Sequence, residues 1–499
     1  MKKHGHFLLI LGLVVASKVS GFFKDLLFTF YHGVSSTTDA YFLANSISSV
    51  LYMAIYSAIP VLIVPLYSRL MLVGDRLAID RGLSAAFFFF CTLSLAVSSA
   101  VFFLSHPLTE LFASGASESV KYSAGNYLSI MALTFVLSTL VSLLNAVQTV
   151  NKVVIPSYIV PIGNNLVFCT GLYLFSTPEQ FESVLLLGVL AWLLLVLING
   201  YIARKSITLL PGVGFDFFKD KEFIFLFLPA VMSFYVEQLN GFVGVYFAAE
   251  LGVGAISVFG YSTKLNLIFL SVFLVFLTAS LFPRIAAVAA RNDSAELARY
   301  LTVCIRVVVL CSVPIAIYMI FYSEEIVTLL FKRGKFLSED VSRVALVLSV
   351  MLLALPFCLL RDIMNRVFFS HGNTLTPVLL SLFALLVNAV IACLFYQRNG
   401  LVLLAVAAVV STILNCLVGI FLVQRKTGFS LFFPMGHIVG LCGVAGGLSY
   451  CSLRWLDGIL ADYWLPLFVP FFLVYLGCLL LLRVKEAWGV AGVLRRRAS

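Results

Sequence analysis

Six charged side chains stand inside otherwise apolar stretches of the chain: Lys18, Lys24, Asp25, Glu237, Lys264 and Arg306. If lipid surrounds those stretches, each central Lys or Arg costs about 2.5–3.5 kcal/mol to insert, so the charges should face protein or a wet cavity. Lys18, Gly21 and Asp25 follow i, i+3, i+7 spacing and fall on one helical face, with Lys24 about a third of a turn away. That face belongs in the interior. Arg306 sits about two turns from its helix end and can snorkel to the inner surface. The other three cations, Lys18, Lys24 and Lys264, meet only two intramembrane acids, Asp25 and Glu237. An excess of positive charge attracts an anionic ligand. Lysine suits phosphate as a point charge, whereas a bidentate grip would call for arginine. Gln238, Asn240 and Asn266 either hydrogen-bond a sugar head group or bridge helices.

The elements that must hold these residues follow from composition. Of 499 residues, 62% are hydrophobic and 11% charged, and the mean hydropathy is +1.07. A soluble domain needs roughly a quarter of its residues charged to cover its surface, so lipid must solvate much of this chain. It reads as an all-α polytopic membrane protein. The net charge of +10 would suggest nucleic acid in a soluble protein. Here the cationic bias of inner loops explains it, and no nucleic-acid partner is expected. The ten cysteines lie mostly in apolar runs, form no C-x-x-C pair and read as packing residues. There is no H-E-x-x-H, no G-x-x-x-x-G-K-[ST] and no G-x-S-x-G, so neither hydrolysis nor ATP use is indicated. No metal, no cofactor and no enzymatic activity are expected.

With about 20 apolar residues needed to cross a bilayer, about fourteen spans can be drawn. They run approximately over residues 7–31, 40–67, 83–105, 124–148, 153–176, 183–203, 223–249, 255–282, 300–322, 342–365, 375–396, 400–424, 434–453 and 464–482. Continuous runs of this length favour helices over a barrel. If the N-terminus is cytoplasmic, 22 of the 33 Lys and Arg residues fall inside, among them Arg204, Lys205, Lys219 and the tail cations Arg483, Lys485, Arg495, Arg496 and Arg497. Both termini are therefore expected in the cytoplasm. Met1 to Ala16 imitates a secretory signal, but the apolar stretch resumes through Phe30, so it is read as a retained first span.

Four local patterns recur about 220 residues on, the mark of an internal duplication. Gly33-Val34 with Thr38 returns as Gly252-Val253 with Ser257, and Val64-Pro65 returns as Phe282-Pro283. Leu111-Phe112-Ala113-Ser114-Gly115 returns as Leu330-Phe331-Lys332-Arg333-Gly334, and Asn151 with Pro156 resembles Asn373 with Pro377. The offset covers an even number of spans, so the two copies share one orientation, as in transporters built of parallel repeats. The expected organisation is an N-lobe with its cytoplasmic linker at residues 1–221, a C-lobe at 222–426, each of six spans, and two further spans with a basic cytoplasmic tail at 427–499.

Ser17-Lys18-Val19-Ser20-Gly21-Phe22-Phe23-Lys24-Asp25, Gly33 and Thr38-Asp39-Ala40-Tyr41-Phe42 resemble the opening of the MurJ/MviN lipid II flippases. Tyr261 to Lys264-Leu265, Leu281-Phe282-Pro283, Leu330 to Phe336 and Thr376-Pro377 continue the resemblance over roughly residues 10–425. The family belongs to the multidrug/oligosaccharidyl-lipid/polysaccharide exporter superfamily. The resemblance implies two lobes around a cationic cavity, with a lipid groove at the last two helices. It implies that Lys18, Lys24 and Lys264 stand where the family binds the diphosphate, and that Asp39 matches its loop aspartate, joining Asp25 and Glu237 as cavity or coupling acids. Every matched arginine is lysine here, and Leu51-Tyr52-Met53 and Ser57 replace an Arg-Arg and a Glu.

The implied function is movement of lipid II from the inner to the outer leaflet of the bacterial cytoplasmic membrane, by alternating access. Its partners are then the polyprenyl-diphosphate-linked glycan, membrane lipid and, through function, the cell-wall synthesis machinery. The departures leave open another undecaprenyl-diphosphate oligosaccharide, such as an O-antigen or exopolysaccharide unit. A drug/cation antiporter would prefer an acidic cavity. A membrane glycosyltransferase would need a metal-binding acidic motif or a large outer loop, and a non-transporting scaffold is the remaining reading.

Overall fold

The computed structural model describes residues 2–153, 155–204, 210, 221–289, 291, 293–460 and 467–481. The cations Lys205 and Lys219, the boundary of the expected N-lobe and the basic tail lie outside or at the edge of these residues. Among the described residues all regular structure is helical: α1 Lys2–His32, α2 Ser36–Ser48, α3 Ala54–Val73, α4 Arg76–Phe103, α5 Ser105–Phe112 and α6 Glu118–Val150. Then come α7 Ile155–Leu174, α8 Phe181–Ala203, α9 Lys221–Ala248, α10 Ala255–Ser280, α11 Phe282–Ala289 and α12 Ser294–Phe321. The chain continues with α13 Ser323–Phe331, α14 Ser338–Leu352, α15 Leu355–Ser370, α16 Leu375–Thr427, α17 Phe432–Leu460 and α18 Phe468–Leu481.

Eight of the described helical segments are long and apolar enough to cross a membrane, and a ninth span arises if the bent pair α14 and α15 is counted as one. The protein is a multi-pass membrane protein. Many of its large apolar side chains are exposed, including Leu190, Leu197, Leu386 and Leu394, as lipid rather than water requires.

The sequence accounts for most breaks. Asp75 and Asp293 start α4 and α12 by accepting backbone N–H bonds, from Leu77 at 2.9 Å and from Ala295 and Glu296 at 2.9 Å each. Gly400, at φ 56° and ψ −137°, divides α16 into the two expected spans. The expected single span at 342–365 is instead bent by 43° between α14 and α15. Pro356 lies in the first turn of α15, where its missing N–H is harmless but cannot continue α14.

The second expected span is one continuous segment, Ser36–Leu72, with an irregular turn inside it. A π-helical turn, Ser49–Met53, separates α2 from α3. Such a turn inserts a residue and misaligns the carbonyl ladder. Tyr52 anchors it. Its hydroxyl donates to the Phe135 carbonyl at 2.6 Å and lies 2.8 Å from Ser138 Oγ and 2.7 Å from Thr139 Oγ1, while its ring stacks on Phe135 with centroids 4.2 Å apart. Across the turn, Tyr235 of α9 donates to the Leu51 carbonyl at 3.2 Å.

The chain divides into two compact units, Met1–Val258 with Phe331–Asp340, and Phe259–Leu330 with Val341–Ser499. In the first, α6 packs against α2, α3, α4 and α8, while α1 packs along α7. In the second, α12 packs against α15 and α17, and α17 against α18, around a core that includes Ile305, Val309, Leu359, Ile363, Ile420 and Cys442.

Tyr52→Phe removes the donor to the Phe135 carbonyl and the hydroxyl that Thr139 bonds, and should lower stability by about 1–3 kcal/mol. A thermal melt of the purified protein checks this, with the half-exposed Phe89→Tyr as a substitution that should leave the midpoint nearly unchanged.

Candidate functional site

The α1 segment sets out the first group of charges. Gly21, Lys24 and Phe28, at i, i+3 and i+7, form its stripe against α7. Asn165 Nδ2 donates to Ser20 Oγ at 3.1 Å, and a Cβ on Gly21 would come within 3.4 Å of the same amide, so a small residue lets the helices close up. The Lys24 ammonium lies over the Phe168 ring, 5.5 Å from its centroid. Lys18 and Asp25, nearly level with each other around the helix, border this stripe. Lys18 is exposed, and Lys24 and Asp25 are half-buried. The face expected in the interior is therefore split, with Gly21 turned to α7 and Lys18 beside it in the open.

On α9, also in the first unit, Glu237 is exposed and Gln238 and Asn240 are half-buried. In the second unit Lys264 and Asn266 are half-buried on α10, whose Ser262 donates to the Val344 carbonyl of α14 at 3.0 Å. The structure thus brings Lys18, Lys24 and Asp25 together on one helix, and Gln238 and Asn240 with Glu237 on another. No group of His, Cys, Asp or Glu suited to a metal ion is present among the described residues.

Asp39 is placed differently from the other acids. It is 1% exposed, and its carboxylate accepts from the backbone N–H groups of Gly254 and Ser257, the latter at 2.7 Å, and from the Ser257 hydroxyl. These are the free donors at the start of α10, and an anion there is favoured by both the unpaired N–H groups and the helix dipole. Expected as a cavity or coupling acid, Asp39 is buried as the cap of a helix distant in sequence.

Around it the two repeated turns and the two repeated loops lock reciprocally. In the first turn Thr38 Oγ1 donates to the Gly33 carbonyl at 2.9 Å. The loop after α13 presses Gly334, at φ 59°, against the Phe30 carbonyl, and Lys335 N donates to that carbonyl at 3.0 Å. Gly33, at φ 53°, in turn faces the Lys335 carbonyl so closely that no Cβ would fit. The equivalent loop after α5 brings Gly115 against the Glu250 carboxylate, with Ser114 Oγ donating to Glu250 Oε1 at 3.4 Å. Each copy's loop therefore rests on the other copy's turn. Sequence reading found these segments as repeats but gave no sign that they touch.

The chain matches the family model described as "Lipid II flippase MurJ" over residues 29–475. The chain belongs to the MurJ family. It is 25% identical over 498 residues to the probable lipid II flippase MurJ of Aquifex aeolicus (strain VF5), covering 97% of this chain and 95% of that protein. It is 23% identical over 472 residues to the probable lipid II flippase MurJ of Vibrio cholerae serotype O1, covering 90% and 88%. The fold matches a structure titled "Lipid II flippase MurJ, inward closed conformation" with a TM-score of 0.80, 22% identity and coverage of 94% and 98%. A multidrug resistance MATE family transporter shares the fold at a TM-score of 0.67, 13% identity and coverage of 81% and 94%. The likeness to the MATE transporter is one of fold.

Asp39→Ala should destabilise the protein by about 2 kcal/mol or more, because it strands charge-assisted donors at the start of α10. Asp39→Asn, which keeps one acceptor, should cost less. Chemical denaturation of the three proteins at one pH gives the ranking.

Proposed function

We propose that this chain carries a lipid-linked glycan diphosphate, lipid II first among candidates, from the inner to the outer leaflet of the bacterial cytoplasmic membrane. The observation that carries the reading is membership of a family described as lipid II flippases along nearly the whole chain. Three lysines standing where the resemblance places diphosphate-binding cations support it, since lipid would not tolerate them without a polar partner.

In this reading about fourteen spans form two lobes, residues 1–221 and 222–426, with 427–499 as an appendix and both termini in the cytoplasm. The head group enters a wet path lined by Lys18, Lys24 and Lys264 while the polyprenyl tail stays in lipid. Asp25 and Glu237 balance part of the charge, and Gln238, Asn240 and Asn266 offer hydrogen bonds to the glycan. The lobes then rock to re-expose the head group outside. Outward movement of an anion follows an inside-negative potential, worth about 2.3 kcal/mol per charge per 100 mV, so no ATP is required. The chain acts as a carrier and leaves the substrate's covalent structure unchanged.

A second substrate, another undecaprenyl-diphosphate oligosaccharide, is favoured by one observation. Tyr52 and its neighbours stand where the resemblance places an Arg-Arg pair, and Tyr52 is committed to the π-helical turn.

Leaflet accessibility of labelled precursor in cells depleted of the protein provides the test. Depletion should trap the precursor inside, and outer-leaflet arrival without any other carrier would defeat the reading. Lys18→Ala, Lys24→Ala and Lys264→Ala should each weaken precursor binding by roughly 10- to 100-fold, the range for a charge-assisted contact. The corresponding Lys→Arg variants should retain transport. Normal transport in the triple alanine variant would remove the site assignment alone.

A further inference from the structure

His32 ends α1, one residue beyond the apolar stretch that closes at Tyr31. It is 2% exposed, and neither ring nitrogen has a hydrogen-bond partner among the described residues. Its walls are aromatic: the Phe28 ring lies 5.4 Å away and the Phe181 ring 5.0 Å away, edge-on. Neutral imidazole carries one N–H and one acceptor, and here both are buried unpaired, at a cost a phenylalanine in the same box would avoid. The box adjoins the reciprocal lock, because Lys335, whose N–H bonds to Phe30, also bears the nearby charge that acts on the ring.

Among the described residues no acid is placed to receive an imidazolium. On α8, Glu182 is held by Asn126 Nδ2 at 2.9 Å, and on α6, Tyr127 packs on the far wall, Phe181, at 5.2 Å. On α2, Asp39 is bound to the start of α10, and on α1 itself Lys24 and Asp25 lie about two turns back. Burial first, and the Lys335 ammonium second, hold the imidazole down at about 4.

We propose that His32 is a proton-binding site, and that taking up a proton there opens the lock between the Phe30–Gly33 turn and the Gly334–Lys335 loop. The inference rests on the reading above in one respect: that reading puts this end of α1 on the outer side, so the proton comes from the outer aqueous phase. With the lock closed the ring is neutral. Once released into water it returns to an ordinary pKa of about 6.5. A group whose closed-state pKa is depressed in this way stabilises the closed state fully above about pH 6.5. That contribution falls away as pH drops toward about 4, where the closed form also protonates. Over that window opening becomes about tenfold more favourable per pH unit. Because the proton enters and leaves on the same side, it regulates opening and is not itself carried across.

The test is hydrogen–deuterium exchange of the full-length protein in lipid nanodiscs at pH 7.5 and pH 5, corrected for intrinsic exchange and read at the Lys335 amide. The expected outcome is a roughly 25-fold loss of protection in the unaltered protein and none in His32→Phe. Lys335→Glu, which offers the imidazolium a partner, should keep most of its protection at pH 5 and serves if His32→Phe does not fold. Equal protection at both pH values in the unaltered protein, or the same loss in His32→Phe or Lys335→Glu, overturns the proposal. No substrate enters this measurement, so its failure leaves the flippase reading standing, and failure of the leaflet assay leaves the exchange result standing.

Discussion

A single buried carboxylate organises one end of this molecule. Asp39 is taken out of water, and the start of α10 offers its carboxylate backbone N–H groups and a hydroxyl in return. That exchange fixes where α10 begins relative to the turn that follows α1. Beside it Gly33 comes up against the Lys335 backbone and Gly334 against the Phe30 backbone, which only residues without Cβ atoms allow at these positive φ values. The other loop can then bring Gly115 up to Glu250. The lock is local, and buried aromatic side chains border it, Phe331 and Phe336 on the loop and Phe28 beside the turn.

The charged residues along the spans follow a different logic. Lys24 is not left to lipid, because the Phe168 ring covers its ammonium. Cation–π contact stabilises a charge without neutralising it. The Ser20–Asn165 bond and the bare surface of Gly21 hold α1 close to α7 beside it. The helix is thereby fixed in rotation, with Lys18 left in the open.

Much of this was legible in the sequence, and the parts that were not share a cause. The helices, the division of α16 at Gly400 and the duplicated turns all follow from local composition, which acts through the backbone of the residues themselves. The bend before α15 was also written there, in Leu355-Pro356, and the apolar count passed over it. The π-helical turn was not, since nothing in Ser49-Val50-Leu51-Tyr52-Met53 distinguishes it from ordinary helix until Tyr52 meets Phe135 and Ser138 on α6. The role of Asp39 was hidden for the same reason: its partners are more than two hundred residues away, and an acid in the first turn of a helix is ordinarily explained by that helix alone.

The repeat gives these residues their meaning through its imperfection. Thr38 and Ser257 occupy equivalent places, yet Thr38 bonds within its own turn while Ser257 donates to Asp39. The position equivalent to Asp39 is Val258, and the position equivalent to His32 is Leu251. Had both copies kept an acid at the Asp39 position, a second carboxylate would stand close to the first within the same buried contact. Like charges a few ångströms apart cannot both ionise cheaply, so one would protonate and lose its hold on the opposing helix. Duplication supplied two turns and two loops able to grip each other. Giving the charge to one copy and the complementary donors to the other made that grip strong enough to close and specific enough to need only one group to release it.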